Sequence, residues 1–450
     1  MFESVLVANR GEIARRVIRT VKAMGLRAIA VHSEADADLP FVLEADEAFL
    51  LGPAAPAQSY LDVARVLEAC RATGAQAVHP GYGFLAENAA FARAVIDAGL
   101  TWIGPSPEAI ERMGDKINAR NLMEQAGVPV AAGTREPVSE QAQALAAAAE
   151  IGYPVMVKAA GGGGGIGMGV AHDEAGLVKA FETAARAAER FGGKTSGGPA
   201  ILLERYIERA RHVEVQILGL ADGTVVALGE RDCSVQRRHQ KVVEESPSPG
   251  ITPELRERML AAAVRAGEAV GYRGAGTVEC LVDADAQDFV FLEMNTRLQV
   301  EHPVTELVTG IDLVEQQLLI AAGEPVSFST ATRRPGGHAV EFRIYAEDPK
   351  RFFPGPGKID VWEEPTGPGV RLDSGYVAGN TVTPFYDPLM AKLCVHGDTR
   401  EEALARAREA VAAFRVEGPK NNLPFFAELL DDPEFAGGDY DTGLVARMRA

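Results

Sequence analysis

The sequence has few cysteines, no long apolar run and no excess of basic residues, and each absence excludes a class of protein. Its four cysteines, at positions 70, 233, 280 and 394, follow no metal-binding or disulfide spacing. Free thiols fit a reducing compartment, and we therefore expect a cytoplasmic protein. No apolar segment approaches the ~20 residues of a membrane span, so no membrane association is expected. The net charge of −18 argues against nucleic-acid binding, which requires a basic face.

The chain also starts without a segment typical of targeting signals. Met1 is followed closely by the strand-like Val5–Ala8, so we expect neither a signal peptide nor a transit peptide. The 450 residues are 47% hydrophobic and 24% charged, which is typical of globular proteins with large cores. A chain of this length predicts about three domains.

The beginning of the chain alternates predicted strands and helices. Ser4–Ala8 has the pattern of a buried strand, Ile13–Met24 has apolar residues at helical spacing, and Arg27–His32 is the next strand. This βαβ pattern predicts a parallel, doubly wound sheet. The turn after the first strand carries Gly11 alone, so the glycine fingerprint of nicotinamide and flavin sites is missing.

A tight turn follows a later strand of this sheet. Pro80–Asn88 comes after the predicted strand Ala75–His79, and open α/β sheets bind ligands at the carboxyl ends of their strands. A plain turn between strand and helix is an equally good interpretation. Farther on, Ile110–Ala126 is predicted to be one helix, which contains Asp115 and Lys116.

An unbroken run of glycines, Gly161–Gly165, follows a predicted strand that carries Lys158. Consecutive glycine amides can turn inward and form a nest for phosphate oxygens. Because Met168–Ala171 continues as a strand, we interpret the run as a mobile flap over phosphates, with a flexible linker as the alternative. After the predicted helix Ala175–Phe191, residues Gly192–Pro199 are expected to form a loose loop.

A predicted hairpin supplies further polar candidates. Arg211–Leu218 alternates polar and apolar residues, which predicts a half-buried strand that pairs with Val225–Gly229. The dense polar run that follows supplies Gln236, His239 and Lys241 as candidate phosphate and anion ligands. A solvated loop is the alternative interpretation of this run.

The most informative stretch is a short apolar strand that turns abruptly polar. Polar groups then follow at every second position, and a strand, or an extended loop leaving one, points them into the same cavity. Carboxylates and an amide suit Mg²⁺, an arginine can hold a small planar anion, and a carboxylate away from the metal can act as a base. A solvated sheet face with scattered charges is the alternative. These residues are Glu293, Asn295, Arg297, Gln299 and Glu301.

Another acidic group belongs with this stretch. Gly276–Val282 is a predicted strand that carries Glu279 and pairs antiparallel with the strand of Glu293. The two carboxylates can therefore share a cation. Beyond them, His338–Tyr345 is a predicted strand bearing Arg343, and the polar last residues are expected to carry no further module.

Six motifs stand out: HPGYGFLAEN from 79, MGDK from 113, the glycine run from 161, ERDCSVQRRHQKVVEE from 230, EMNTRLQVEHPVTE from 293 and EFRIYAEDPKRFFPGPG from 341. With these motifs the chain resembles biotin carboxylase, of the ATP-grasp superfamily, along essentially its whole length. The resemblance implies a pre-ATP-grasp α/β domain with a doubly wound parallel sheet at 1–112 and an ATP-grasp region at 113–330. Within that region the mobile glycine-rich flap spans about 131–205, and a mixed β/α domain follows at 331–450.

The family makes carboxyphosphate from ATP and bicarbonate and then carboxylates N1′ of biotin. The resemblance therefore implies a ligase that uses ATP with Mg²⁺ or Mn²⁺, and biotin as a carrier-bound substrate that is not attached to this chain. It implies Glu301 as the general base, with Arg297, Arg343 and Lys241 as the other catalytic groups. Arg343 would hold the ureido oxygen when biotin loses its proton.

The resemblance also assigns ligands, position by position. It implies bicarbonate ligands at Lys241, Arg297, Gln299 and Val300, biotin contacts at Tyr82 and Arg343, and metal ligands at Glu279, Glu293 and Asn295. The implied ATP ligands are Lys116, Lys158, Gly163, Gly164, Gly165, Glu204, Tyr206, Ile207, His212, Gln236, His239, Glu279 and Glu293.

Two departures from the family pattern concern the nucleotide. Ile166 and Gly169 stand where the glycine loop of the family usually has arginines, so any contribution of those side chains is missing. Arg205 replaces the more usual lysine at the adenine hinge. Backbone amides of the loop are still expected to hold phosphates.

The expected partners follow from a motif that the chain lacks. Without the biotin-accepting Ala-Met-Lys-Met sequence, the chain is expected to act on a separate biotin carboxyl carrier protein. Carboxyltransferase subunits would complete an acetyl- or acyl-CoA carboxylase of the kind that serves fatty acid biosynthesis, and a homodimer is expected. Two other functions stay open: another ATP-grasp carboxylate ligase, and a nucleotide-sensing subunit without turnover.

Overall fold

The computed structural model describes residues 1–159, 167–191, 194–195, 198–329 and 336–449. The chain begins with strands β1 (Ser4–Val7), β2 (Arg27–Ser33), β3 (Glu47–Gly52), β4 (Ala77–His79) and β5 (Thr101–Trp102), and with helices α1 (Gly11–Ala23), α2 (Pro40–Glu44), α3 (Val63–Thr73), α4 (Ala89–Asp97) and α5 (Pro107–Gly114). All the pairs are parallel and the order is β3-β2-β1-β4-β5. Val5 and Val7 pack into one apolar core and Leu6 into another, so both faces of the sheet are covered. The predicted doubly wound sheet is confirmed.

The helix expected over Ile110–Ala126 is two helices, which meet at Asp115. Helix α5 ends at Gly114, and α6 spans Lys116–Gln125. The Asp115 carboxylate accepts hydrogen bonds from the amides of Ile117 and Asn118, each 3.0 Å long. The single-helix prediction is wrong because this carboxylate caps a new first turn. The break places Lys116 at the start of α6.

A small antiparallel sheet carries Lys158 and Glu204. Its strands are β6 (Val155–Ala159), β7 (Met168–Ala171) and β10 (Ile201–Arg205), in the order β10-β6-β7, and two helices cover it with their own apolar core. The predicted strand Met168–Ala171 is present, whereas the glycine run with Gly163, Gly164 and Gly165 lies outside the described residues. The elements are α7 (Gln141–Ile151), β6 (Val155–Ala159), β7 (Met168–Ala171), α8 (Glu174–Phe191), β8 (Lys194–Thr195), β9 (Gly198–Pro199) and β10 (Ile201–Arg205).

The segment Gly192–Pro199 is not wholly the loose loop that was expected. Strands β8 and β9 pair antiparallel, with Lys194 opposite Pro199 and Thr195 opposite Gly198. Strands of two residues are too short to leave a periodic pattern in the sequence, so the prediction is wrong at these four positions.

The largest sheet begins in the middle of the chain. Its first elements are β11 (Ala210–Gly219), β12 (Val225–Arg237), β13 (Gln240–Ser246), α9 (Pro253–Ala269), β14 (Gly274–Asp283), β15 (Asp288–Asn295), α10 (His302–Thr309) and α11 (Leu313–Ala322). Strand β12 continues well past Gly229, so the dense polar run belongs to a long hairpin and not to a solvated loop. Arg238 and His239 form its turn, with φ of 49° and 67°.

Strand β11 is buried along its whole length, so the expectation of a half-buried strand is wrong. All ten residues of Ala210–Gly219 are buried. Its polar side chains face a buried network, in which Arg231 donates to Glu214 over 2.6 Å and to Gln216 over 2.7 Å. Alternation of polar and apolar residues marks two different environments, and here the polar one is an interior site.

The rest of the chain completes the same sheet. It contains β16 (His338–Tyr345), β17 (Gly357–Lys358), β18 (Val361–Glu363), β19 (Val370–Ser374), β20 (Thr381–Val382), β21 (Leu389–Gly397), α12 (Arg400–Ala413), β22 (Arg415–Glu417), α13 (Leu423–Asp431), α14 (Pro433–Gly437) and α15 (Leu444–Met448). The order is β15-β14-β11-β12-β13-β16-β21-β19. The sheet therefore continues across the domain boundary expected at 330, through the pairing of β13 with β16.

The last residues pack against the sheet although their sequence is polar. Tyr440 and Leu444 are buried, and Arg211 of β11 donates to the carbonyls of Gly438 and Tyr440 over 3.0 and 2.6 Å. Among the described helices, none combines the length and the apolar character needed to cross a bilayer.

Candidate active site

Polar side chains beyond the end of β15 meet in one largely buried polar cluster, which we call the pocket, although the strand does not carry all of them. Strand β15 ends at Asn295, a loop follows, and Glu301 lies immediately before α10. Arg297 donates to Asn295 over 2.9 Å, and Gln299 donates to Glu279 over 2.6 Å. The expected convergence is therefore present, and the loop continues what the strand begins.

Lys241 is the centre of the pocket. Its ammonium lies 2.6 Å from a carboxylate oxygen of Glu214, 2.9 Å from Glu279 and 2.7 Å from Glu301. Burial disfavours the charged ammonium, but these carboxylates outweigh burial and hold the pKa of Lys241 well above its usual value. Lys241 is thus a fixed cation inside an excess of negative charge.

Glu301 is a buried carboxylate between two cations. Its Oε1 accepts a hydrogen bond from Lys241 over 2.7 Å, and its Oε2 accepts one from Arg343 over 3.0 Å. Burial alone would raise the pKa of Glu301, but Lys241 and then Arg343 outweigh burial and hold it well below the usual range. An ionised carboxylate held in this way can accept a proton when a ligand draws one of the cations away.

Glu279 and Glu293 form the acidic pair expected for a metal ion. They lie directly opposite each other on β14 and β15. Burial, and next the charge of Glu279, raise the pKa of Glu293, so this side of the pocket is short of positive charge. Two carboxylates opposite each other on neighbouring strands fit Mg²⁺ or Mn²⁺. Asn295 fits less directly, because its amide oxygen already accepts from Arg297 and its amide nitrogen donates to Glu279 over 2.7 Å.

Two of three candidate ligands on the hairpin side enter the buried cluster. His212 Nε2 lies 2.8 Å from Glu279 Oε2, and Gln236 Nε2 lies 2.8 Å from the carbonyl of Cys233 and 2.9 Å from His212 Nδ1. His239 instead occupies the exposed turn between β12 and β13. The structure thus brings together His212 and Gln236 and leaves His239 at the surface.

The remaining nucleotide candidates lie along α6, β6 and β10. Lys158 and Glu204 form an ion pair across β6 and β10. The positive charge of Lys116 opposes the rise in the pKa of Glu293, so the two side chains lie within electrostatic range of each other. The Tyr206 amide donates to the Pro154 carbonyl over 3.0 Å, and Ile207 follows it directly.

The turn after β4 reaches the pocket, so it is more than a plain connection. Glu87 accepts from the Arg297 guanidinium over 2.9 Å and from the Thr296 amide over 3.1 Å. Tyr82, from the same turn, donates its hydroxyl hydrogen to Glu12 of α1. Residues of the first sheet therefore orient Arg297 and border the pocket.

Arg343 lies on the far side of Glu301 from Lys241. Its NH2 atom is 3.0 Å from Glu301 Oε2 and 2.5 Å from Glu244 Oε1. Burial opposes its charge, but Glu244 and Glu301 outweigh burial and raise the pKa of Arg343. Burial raises the pKa of Glu244 to about 7, against the attraction of Arg343.

Sequence reasoning missed several charged residues that hold the predicted ones in place. Glu214 contacts Lys241, Glu244 contacts Arg343, and Glu87 contacts Arg297. Arg231 donates to Glu214 and to Gln299 over 2.6 and 2.7 Å. A signal existed for Glu214, because it lies two residues after His212 on one strand and therefore shares its face.

Known proteins were compared with the whole chain. Three family models match: the biotin carboxylase N-terminal domain over residues 1–110, the ATP-binding domain of the carbamoyl-phosphate synthase L chain over 115–328, and the biotin carboxylase C-terminal domain over 341–447. A biotin carboxylase of Halalkalibacterium halodurans is 51% identical over 445 residues, which cover 99% of this chain and 97% of that protein.

Solved structures agree with these matches. A complex of Campylobacter jejuni biotin carboxylase with a β,γ-ATP ligand has a TM-score of 0.94 and 43% identity, over 99% of each chain. The biotin carboxylase domain dimer of Hydrogenobacter thermophilus 2-oxoglutarate carboxylase, solved with MgADP, ADP and bicarbonate, has a TM-score of 0.92 and 43% identity, over 99% of this chain and 98% of that one. From its fold, its pocket and these matches, we conclude that the chain belongs to the biotin carboxylase family of ATP-dependent ligases.

Proposed function

We propose that this pocket carboxylates N1′ of biotin on a separate biotin carboxyl carrier protein, at the expense of ATP and bicarbonate. One observation carries the assignment of residues. Lys241, Glu301 and Arg343 form a continuous line of alternating charge, and Lys241 joins this line to Glu279 on the metal side. The proposed reaction begins at a phosphate beside Glu279 and ends at a ureido group beside Arg343, so it uses both ends of this line.

ATP lies on the side of the small sheet. Lys116, Lys158, His212, Gln236 and the glycine run hold its phosphates, while Glu204, Tyr206 and Ile207 bind the adenine side. His239 contributes only if the exposed hairpin turn folds over the nucleotide. Lys158 must then exchange Glu204 for a phosphate, as expected for a lysine that binds phosphate as a point charge.

A divalent cation held by Glu279 and Glu293 supplies positive charge to the transferring phosphate. Asn295 joins these ligands through its amide oxygen if Arg297 turns from it toward the anion. The two carboxylates provide the hard oxygens that Mg²⁺ and Mn²⁺ prefer.

Bicarbonate binds between Arg297, Lys241, Gln299 and the backbone of Val300. Its negative charge draws Lys241 from Glu301, which makes that carboxylate more basic, and Glu301 then takes the bicarbonate proton. A bicarbonate oxygen attacks the γ-phosphorus, the bond to ADP breaks, and carboxyphosphate forms. Arg297, held by Glu87, fixes the nucleophile in line with the phosphate.

Biotin approaches from the side of Arg343 and Tyr82. A ureido nitrogen is a very weak acid, so its anion needs a fixed cation at the neighbouring oxygen, and the buried guanidinium of Arg343 supplies one. The departing phosphate takes the proton of the nitrogen, the nitrogen bonds to the carboxyl carbon of carboxyphosphate, and the bond between that carbon and the phosphate oxygen breaks.

The biological setting follows the same proposal. The product is carboxybiotin on its carrier, so a carboxyltransferase subunit must consume it, as in an acetyl- or acyl-CoA carboxylase. We keep the homodimer, the cytoplasmic location and the division into domains at 1–112, 113–330 and 331–450 as predictions. The four cysteines are free and buried.

The deciding experiment measures ATP hydrolysis by the purified chain with and without bicarbonate, and then with free biotin. Bicarbonate-dependent hydrolysis that biotin stimulates supports the proposal. Hydrolysis that needs a different carboxylate or an amine supports another ATP-grasp ligase instead. ATP binding with no turnover, even with carrier protein present, supports a nucleotide-sensing subunit.

A further inference from the structure

Lys392 is a buried lysine that the reaction does not use directly. It lies in the middle of β21 and has no exposed surface. Its ammonium is 3.0 Å from Glu12 Oε2 on α1 and donates to the carbonyl oxygen of Val300 over 3.0 Å. One side chain thus touches the first sheet region and the loop between β15 and α10.

Both contacts lead to residues of the pocket. The Val300 carbonyl belongs to the peptide that joins Val300 to Glu301, so its hydrogen bond fixes the backbone that carries the general base. Glu12 also accepts the hydroxyl hydrogen of Tyr82, which borders the biotin side. Lys392, Glu12 and Val300, which we call the Lys392 bridge, therefore connect the bicarbonate pocket with the biotin side.

A buried ammonium is costly unless it is fully paired. Burial lowers the pKa of Lys392, but Glu12, Glu341 and Asp373 outweigh burial and raise it, so the lysine is charged. Asp373 is the weaker direct partner, at 3.9 Å from Lys392, because its carboxylate pairs with Arg371 over 2.7 Å. The short contacts of Lys392 go to the two groups that lead into the pocket.

We propose that Lys392 is a positioning residue. By holding the Val300 carbonyl and Glu12 at the same time, it fixes the loop between β15 and α10 relative to Tyr82. The proposal rests on the proposed function of the pocket. It predicts that loss of the ammonium weakens the use of bicarbonate and of biotin together, while the nucleotide side, which Lys392 does not touch, keeps its affinity.

The test is Lys392→Met in the whole chain, with free biotin as the probe. We expect KM for bicarbonate, measured in hydrolysis without biotin, and KM for biotin each to rise about fivefold or more, with the Kd for ATP within about twofold. Lys392→Arg should recover part of both effects, because a guanidinium can still pair with Glu12. A lysine that only supports the fold would lower the folded fraction and leave both KM values of the folded protein unchanged, and that result overturns the proposal.

Two further variants keep the test decisive. Asp373→Asn removes a buried charge 3.9 Å from the ammonium but leaves the short contacts of Lys392 with Glu12 and Val300 in place. Both KM values should therefore stay within about twofold of wild type. If Lys392→Met does not fold, Glu12→Gln decides: KM for biotin should rise at least about fivefold more than KM for bicarbonate, and equal or absent effects refute the proposal. Absence of bicarbonate-dependent hydrolysis in the wild-type chain would instead refute the proposed function.

Discussion

Replacing Glu301 by glutamine removes the proposed base, while the side chain keeps its size and one acceptor oxygen for Lys241 or Arg343. General base catalysis contributes about 10²- to 10⁴-fold to a rate, so bicarbonate-dependent hydrolysis should fall by that factor. This loss corresponds to about 3 to 5 kcal/mol in the activation barrier. ATP binding should be unchanged, because the ion pairs of Glu301 go to Lys241 and Arg343 and not to the groups proposed to bind the nucleotide.

The charges around Glu301 explain why the fold should survive. The cluster contains four carboxyl groups and three cations, so replacing Glu301 leaves no cation without an acidic partner. Lys241 keeps Glu214 and Glu279 as partners, and Arg343 keeps Glu244. We therefore expect the thermal midpoint to change by only a few degrees, the effect of about 1 kcal/mol in a large domain. The carboxylates are Glu214, Glu244, Glu279 and Glu301, and the cations are Arg231, Lys241 and Arg343.

The assay is ADP release at saturating ATP over a bicarbonate series, with ATP affinity measured by calorimetry. Glu341→Gln is a matched control, because this buried glutamate of β16 lies outside the proposed catalytic groups and its carboxylate accepts a hydrogen bond from the Cys394 thiol over 3.4 Å. The control should keep wild-type turnover. If Glu301→Gln retained more than about a tenth of wild-type turnover, the factor assigned to the base would be absent and the role would belong to another group.

Three further results are expected. Arg343→Ala should reduce biotin carboxylation at least about tenfold more than it reduces carboxyphosphate formation without biotin, and equal losses in both assays would count against a ureido-binding role. Lys241→Met should lower the free energy of unfolding by about 3 to 5 kcal/mol in denaturant titrations, because it leaves three buried carboxylates without their common cation. A change below about 1 kcal/mol would contradict a stabilising role for that cation. The pKa of Glu244 is raised to about 7 in the folded state. Between its ordinary pKa of 4.5 and pH 7, the folded state therefore keeps a proton that the unfolded state has lost, so this group lowers the free energy of unfolding as the pH rises. Glu244→Gln should therefore gain thermal midpoint relative to wild type between pH 5 and pH 8, and a difference that is flat with pH would refute the assignment.

Local patterns predicted the acidic pair well. The predicted antiparallel pairing correctly put Glu279 and Glu293 on neighbouring strands. The register set by the turn alone would place Glu279 opposite Leu292, and a register shift between Glu279 and Cys280 places it opposite Glu293 instead. The same reasoning placed the polar groups after β15 in one pocket. It did not reveal that the strand ends at Asn295, because an extended loop and a strand have the same period.

Contacts between distant segments could not be predicted from local patterns in the sequence. Glu87 and Arg297 are 210 residues apart along the chain, and Lys392 and Glu12 are farther apart still, so no local period connects them. Asp115 was misjudged for a different reason. Apolar residues on both sides keep a helical spacing through the break, and only the capping hydrogen bonds mark it.

The sheet that runs from β15 to β19 has a consequence for anyone who cuts this chain into pieces. A fragment that stopped at residue 330 would lose the neighbour of β13, and a fragment that began there would present β16 with one bare edge. Bare edges of apolar strands recruit other chains, so both halves should aggregate when produced alone. Activity is expected only when the two fragments are produced together, so that β13 and β16 can pair.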